Sequence, residues 1–187
     1  MIEQRSKIHP HKFTLWVAIG SILMMFAGLT SAYIVKRAQA SWALLEIPVV
    51  FWISTMVILA SSGTIYLAQK AFKERSFQKY RSLLGLTAIM GLAFVILQVV
   101  GFMQFGRQDI KLIGAGSNAS YSFLLAIAGL HALHLIGGVV ALFVIYLKAK
   151  STRVKIYSSV PIEVVSTYWH FVDLLWLYLI IFFSVMK

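Results

Sequence analysis

Residues 166 to 187 read STYWHFVDLLWLYLIIFFSVMK, and the fold turns on how a histidine and an aspartate come to lie inside so apolar a run. The stretch closes a longer segment, near residues 162–186, that has the length of a transmembrane helix, since about 20 apolar residues cross a hydrocarbon core. Four further segments share its character, near residues 13–35, 47–69, 82–106 and 121–147. In lipid such a segment satisfies its own backbone only as a helix. The expected fold is an all-α integral membrane protein, a five-transmembrane-helix bundle forming one membrane domain over residues 1–187.

Composition points the same way. Of 187 residues 60% are apolar and 12% charged, which leaves too little polar surface to cover a water-soluble globule. The absence of cysteine excludes disulfides, thiolate metal ligands, iron–sulfur ligation and a cysteine nucleophile. A net charge of +11 invites a nucleic-acid reading. The basic residues, however, fall in short clusters between apolar runs rather than along one polar face, so no nucleic-acid partner is expected.

Those clusters orient the chain. The N-terminal segment and the second and fourth connections hold three, five and four Lys or Arg, against five on the opposite side. Because cytoplasmic loops carry the basic excess, the N-terminus is expected in the cytoplasm and the C-terminus outside. The first span is too long for a signal-peptide core and ends at Lys36 and Arg37 rather than a small-residue cleavage site, so it is expected to be retained. GRQDIKLIGAGSNASYS (106–122) reads as an exterior loop with no folded domain of its own.

Polar groups at membrane depth are the candidate site. They are Gln98, the pair His131 and His134 in GLHALHLIGG (129–138), the pair His170 and Asp173, and Glu163 at the start of the last span. Each pair is spaced i, i+3 and so shares one helix face. At about 1.5 Å per residue, His134 lies about 20 Å and Asp173 about 16 Å from the cytoplasmic ends of their helices. The two faces can meet, which predicts neighbouring fourth and fifth helices joined by a polar clasp of imidazoles on carboxylate or backbone. Haem ligation is the redox alternative, but two histidines at i, i+3 on one helix cannot both be axial ligands of one iron. A dinuclear metal site wants several carboxylates, and one deep acid is present. A proton path is a further alternative, since such paths use acid and histidine chains. SSGT (61–64) and Gly137–Gly138 read as close-packing positions, and Trp16, Trp42, Trp52, Trp169 and Trp176 as mostly an interface belt. A secondary transporter is disfavoured by the lack of an inverted repeat or of paired broken helices.

Taken together, YWHFVDLLWLYL (168–179), GLHALHLIGG (129–138), Glu163 and Pro48 followed by SSGT resemble subunit III of the haem–copper terminal oxidases, the cytochrome c oxidase type. The resemblance covers nearly the whole chain, in order and spacing, and implies a short bacterial form with five helices in the plasma membrane. It implies a subunit without catalytic residues, metal ligands or redox centre of its own, the haems and coppers belonging to subunits I and II. It further implies packing against subunit I, phospholipid bound in the bundle, support of proton uptake and protection of the catalytic subunit. Membership in a larger respiratory assembly and service in a quinol oxidase are compatible with it; an independent b-type haem protein is the alternative from another class. On this reading His131, His134, Glu163, His170 and Asp173 form a structural clasp or lipid cleft. Two departures stand out. Where the family often has Ser-Glu in mid-membrane this chain has Ser21-Ile22, and where a second family glutamate follows the span-3 glutamine it has Gly101. Roles of those two acids do not transfer.

Overall fold

The computed structural model describes residues 10–38, 47–107, 119–150 and 158–186; residues 108–118, within the segment expected as an exterior loop, and Trp42 lie outside them. Five helices follow one another: α1 (Pro10–Arg37), α2 (Val49–Lys73), α3 (Phe77–Arg107), α4 (Ala119–Lys150) and α5 (Val160–Val185). All five are long and apolar enough to cross a membrane. The shortest, α2, has 25 residues and is about 38 Å long, more than a hydrocarbon core requires.

The helix ends carry local signals. Pro10 opens α1, Pro48 immediately precedes α2 and Pro161 sits in the first turn of α5, where a missing N–H costs nothing. Between α2 and α3 the chain reverses in a Schellman turn: Ser76 N–H donates to Ala71 C=O at 2.9 Å and Arg75 N–H to Phe72 C=O at 3.1 Å. Arg75 takes the left-handed conformation there, φ 56°, without being glycine.

α2, α3, α4 and α5 close into a four-helix ring, and α1 packs outside it on α4 and α5. The interior is filled by Ile58, Ile65, Leu84, Phe94, Leu135 and Leu179, all fully buried. Trp169 lies at the centre. Its indole is slotted between α3 and α4 at two glycines: a Cβ on Gly91 would come within 2.6 Å of the ring, and one on Gly138 within 3.2 Å. Gly101 is likewise overlaid by the Phe51 ring, 2.7 Å from where a Cβ would stand.

Two expectations need correction. Trp169 and Trp176 are each 1% exposed and belong to the core rather than to an interface belt, whereas Trp16 and Trp52 do face outward. Burial of an indole requires an acceptor for its N–H, and α2 supplies both. The SSGT segment serves mainly as hydrogen-bonding hydroxyls: nothing lies within 4 Å of where a Gly63 Cβ would stand, and Gly137 is equally open.

α1 buries Leu15, Ile19, Ile22, Phe26, Thr30 and Tyr33 along its length and is tied to α5 at both ends. Near the C-terminal end of the bundle, fully buried Tyr33 packs against Phe123, Phe182 and Phe183 and its hydroxyl donates to Met186 C=O at 3.4 Å. At the N-terminal end, Lys12 pairs with Glu163 at 2.8 Å.

Replacing Arg75 by glycine relieves the left-handed strain and is expected to stabilise the protein by about 1 kcal/mol. Gly91→Ala forces the Trp169 slot open and is expected to cost about 1–3 kcal/mol, while Gly63→Ala is tolerated. Thermal unfolding in detergent ranks the three, and a neutral Gly91→Ala would contradict the slot.

Candidate functional site

The five site residues lie on α4 and α5, but their hydrogen bonds do not run between the two pairs. His134 Nδ1 is 2.7 Å from Leu130 C=O, one turn back on its own helix, and its ring meets Phe26 of α1 edge-on at 5.9 Å. His170 Nδ1 bonds Ser62 Oγ of α2. His131 is fully buried, 5.1 Å from the Trp176 ring and 5.9 Å from Phe94, with no hydrogen-bond partner for either nitrogen among the described residues. Asp173 is 2% exposed and its two oxygens are likewise unbonded. Ser62 lies close enough to interact with the carboxyl, yet its geometrically complete bond goes to His170.

Of the anticipated clasp, imidazoles on carboxylate or backbone, the described residues show the backbone form at His134 and no bond from an α4 imidazole to the Asp173 carboxyl. The two helices are neighbours as expected. Their polar link at this depth is Tyr168 Oη donating to His134 C=O at 2.9 Å. The physical reason is rotation of α5. Seating Trp169 and Trp176 toward hydroxyls of α2 carries His170, one residue after Trp169, to the α2 side. Glu163 stands apart from this layer in its ion pair with Lys12, and its backbone C=O accepts the Thr167 hydroxyl at 2.8 Å.

The functional density of the core resides on α2. Ser61 Oγ donates to Ile58 C=O at 2.7 Å and accepts the Trp169 indole N–H at 3.0 Å. Thr55 Oγ1 donates to Phe51 C=O at 2.7 Å and accepts the Trp176 indole N–H at 2.9 Å. Ser54 Oγ donates to Phe51 C=O at 2.8 Å and accepts Gln98 Nε2 of α3 at 3.0 Å. Thr64 and Thr87 hydroxyls meet at 2.8 Å, tying α2 to α3 once more. A hydroxyl that returns its own proton to the helix backbone presents its lone pairs outward, which makes α2 a column of acceptors for donors on α3 and α5. The signal was present in the sequence as Ser54-Thr55 and Ser61-Ser62, one heptad apart, matched by Trp169 and Trp176 at the same interval on α5.

Each buried imidazole is packed against aromatic rings or bonded within the bundle, and no three His, Asp or Glu side chains gather among the described residues. What the arrangement does chemically is satisfy the indole N–H groups of Trp169 and Trp176 and lock the rotation of α5 against its neighbours.

Comparison with known proteins gives a consistent picture. The sequence model of cytochrome c oxidase subunit III matches residues 12–186. The chain is 25% identical to cytochrome c oxidase subunit 3 of Bacillus sp. (strain PS3), over 88% of this chain and 80% of that one. It is 30% identical to the probable cytochrome c oxidase subunit 3 of Nocardia farcinica (strain IFM 10152), over 91% and 88%, and 32% identical to that of Mycobacterium leprae (strain TN), over 95% and 93%.

Trp169→Ala removes both the slot filler and the Ser61 bond and is expected to cost about 3–5 kcal/mol. Lys12→Ala breaks a half-exposed ion pair and is expected to cost less than about 1 kcal/mol. Chemical denaturation of both variants in detergent checks the contrast, and comparable losses would refute it.

Proposed function

The chain belongs to the cytochrome c oxidase subunit III family, and from that premise we propose that it is the non-catalytic subunit that packs against subunit I, stabilises it during turnover and supports proton uptake. As an oxidase subunit III it is a multi-pass plasma-membrane protein of aerobic respiration and works with the other subunits of the oxidase. In this reading haem and copper chemistry resides in subunits I and II. The observation that carries it is the use made of polar groups at depth: the hydroxyls of α2, the indoles of Trp169 and Trp176 and the imidazole of His170 tie helices to one another. The basic excess on the N-terminal side supports a cytoplasmic N-terminus and an outer C-terminus.

Phospholipid is part of the proposal. A cavity of about 700 Å³ opens between α1, α4 and α5 near the N-terminal end of the bundle, lined by apolar side chains such as Leu15, Ile145 and Val165, with His11 and Ser158 also in its lining. An acyl chain suits such walls. Proton support in this chain does not use the two family glutamates, because Ile22 is a buried apolar residue and the place above Gly101 is filled by Phe51. The same structural role in a quinol oxidase is the close variant.

Mild-detergent extraction is expected to bring down a haem-bearing subunit with this chain, while the isolated chain shows no visible-region absorbance. A Soret band from the isolated chain that vanishes with His131→Ala would overturn the assignment. An oxidase lacking the chain is expected to lose activity progressively during turnover. Narrowing the cavity with Ala18→Trp is expected to lower bound phospholipid, measured by mass spectrometry of the complex, without detaching the subunit.

A further inference from the structure

The face of α5 that lies between α1 and α2 is left uncovered by the bundle. Both helices pack on α5, yet among the described residues they share no contact with each other. Glu163, Thr167, His170, Leu174, Tyr178 and Ile181 recur at intervals of three and four and so form one stripe along this face. Leu174 and Ile181 are 65% and 57% exposed. The borders are set by side chains already described or adjacent to them. On the α1 side, Tyr178 Oη donates to Thr30 Oγ1 at 3.1 Å; on the α2 side, Ser62 holds His170. The Lys12–Glu163 pair closes one end, with Lys73 of α2 near enough to act on the same carboxylate. Along the α1 border a cleft of about 350 Å³ lies between Phe26 and Ala27 of α1 and Leu174 and Tyr178 of α5. It is separate from the larger cavity on the α4 side of α1.

His170 distinguishes this groove from an ordinary lipid-facing surface. It stands ten residues into the 26-residue α5, about 15 Å from the helix start and so near mid-span. The ring is only partly buried, and Ser62 engages Nδ1 alone. Whichever tautomer serves Ser62, the second ring nitrogen is a donor or acceptor that no described residue meets. Acyl chains offer no partner, and ionisable residues within a bilayer face protein.

We propose that the α1–α2 groove over α5 seats a transmembrane helix of another subunit of the oxidase, and that this helix supplies a hydrogen-bonding group to His170. The exposed stripe of Leu174, Tyr178 and Ile181 provides the packing surface, and the cleft beside Phe26 has room for one large side chain of the incoming helix. The polar histidine then gives register to a contact that apolar packing alone would leave free to slide. The proposal rests on the oxidase-subunit reading for the existence of partner helices. A lipid tail in the same groove would leave the imidazole unmet, which is why a helix is the occupant assigned.

The test is a photo-cross-linking amino acid at Leu174 in the full complex, irradiated in native membranes. The expected product is a covalent adduct with another oxidase subunit. Its yield is expected to fall about tenfold with His170→Leu, the effect of one lost hydrogen bond of ordinary strength, and to persist with His170→Asn, which keeps a polar group. Equal levels of both variants in the membrane, checked by immunoblot, show that the change is in docking and not in folding. Lipid adducts alone, or a protein adduct insensitive to His170→Leu, overturn the groove assignment while leaving co-purification with the oxidase intact. Loss of co-purification in the unmodified chain rejects the oxidase reading itself and the groove assignment with it.

Discussion

The structure depends on how two indole N–H groups are satisfied away from water. Within a hydrocarbon layer a buried donor has no solvent to fall back on, so Trp169 and Trp176 must find acceptors on a neighbouring helix or remain at the interface. Ser61 and Thr55 of α2 provide them. Once both indoles are so placed, α5 has no freedom to rotate, and the remaining side chains of that helix take up positions they would not otherwise choose.

The glycines belong to the same constraint. An indole at the centre of a four-helix ring needs space on the side away from its hydrogen bond, and Gly91 and Gly138 create it by lacking a Cβ. Hydrogen bond and steric slot act together, one fixing rotation and the other fixing the separation of α3, α4 and α5. Gln98 and Thr87 repeat the hydrogen-bonding half of this arrangement on α3. α2 thereby gathers bonds from two neighbours, consistent with transmembrane helices that associate through polar links and close packing rather than hydrophobic burial.

α1 is organised differently. An aromatic cluster around Tyr33 at one end and the Lys12–Glu163 pair at the other hold it to α5, and the stretch between is flanked by apolar openings on both sides. The chain thus has a four-helix core and a peripheral helix with apolar openings beside it. For an oxidase subunit, that division is the functional content of the fold.

The number of membrane spans, their helical character and the membership of the polar groups at depth were legible in the sequence, because mean hydropathy is a local property and lipid permits a lone segment no other backbone form. YWHFVD and GLHALHLIGG were legible as a family resemblance on the same terms. The partners of those histidines were not. A spacing of i, i+3 puts His170 and Asp173 on one helix face, but which neighbour that face meets is set by rotation about the helix axis, and rotation was decided by where Trp169 and Trp176 found hydroxyls and glycines on three other helices. The sequence by itself determined that these polar residues sit within the membrane; only the tertiary structure decided that His170 answers to Ser62 and not to the histidines of α4, since that choice is made by packing among segments far apart in the chain.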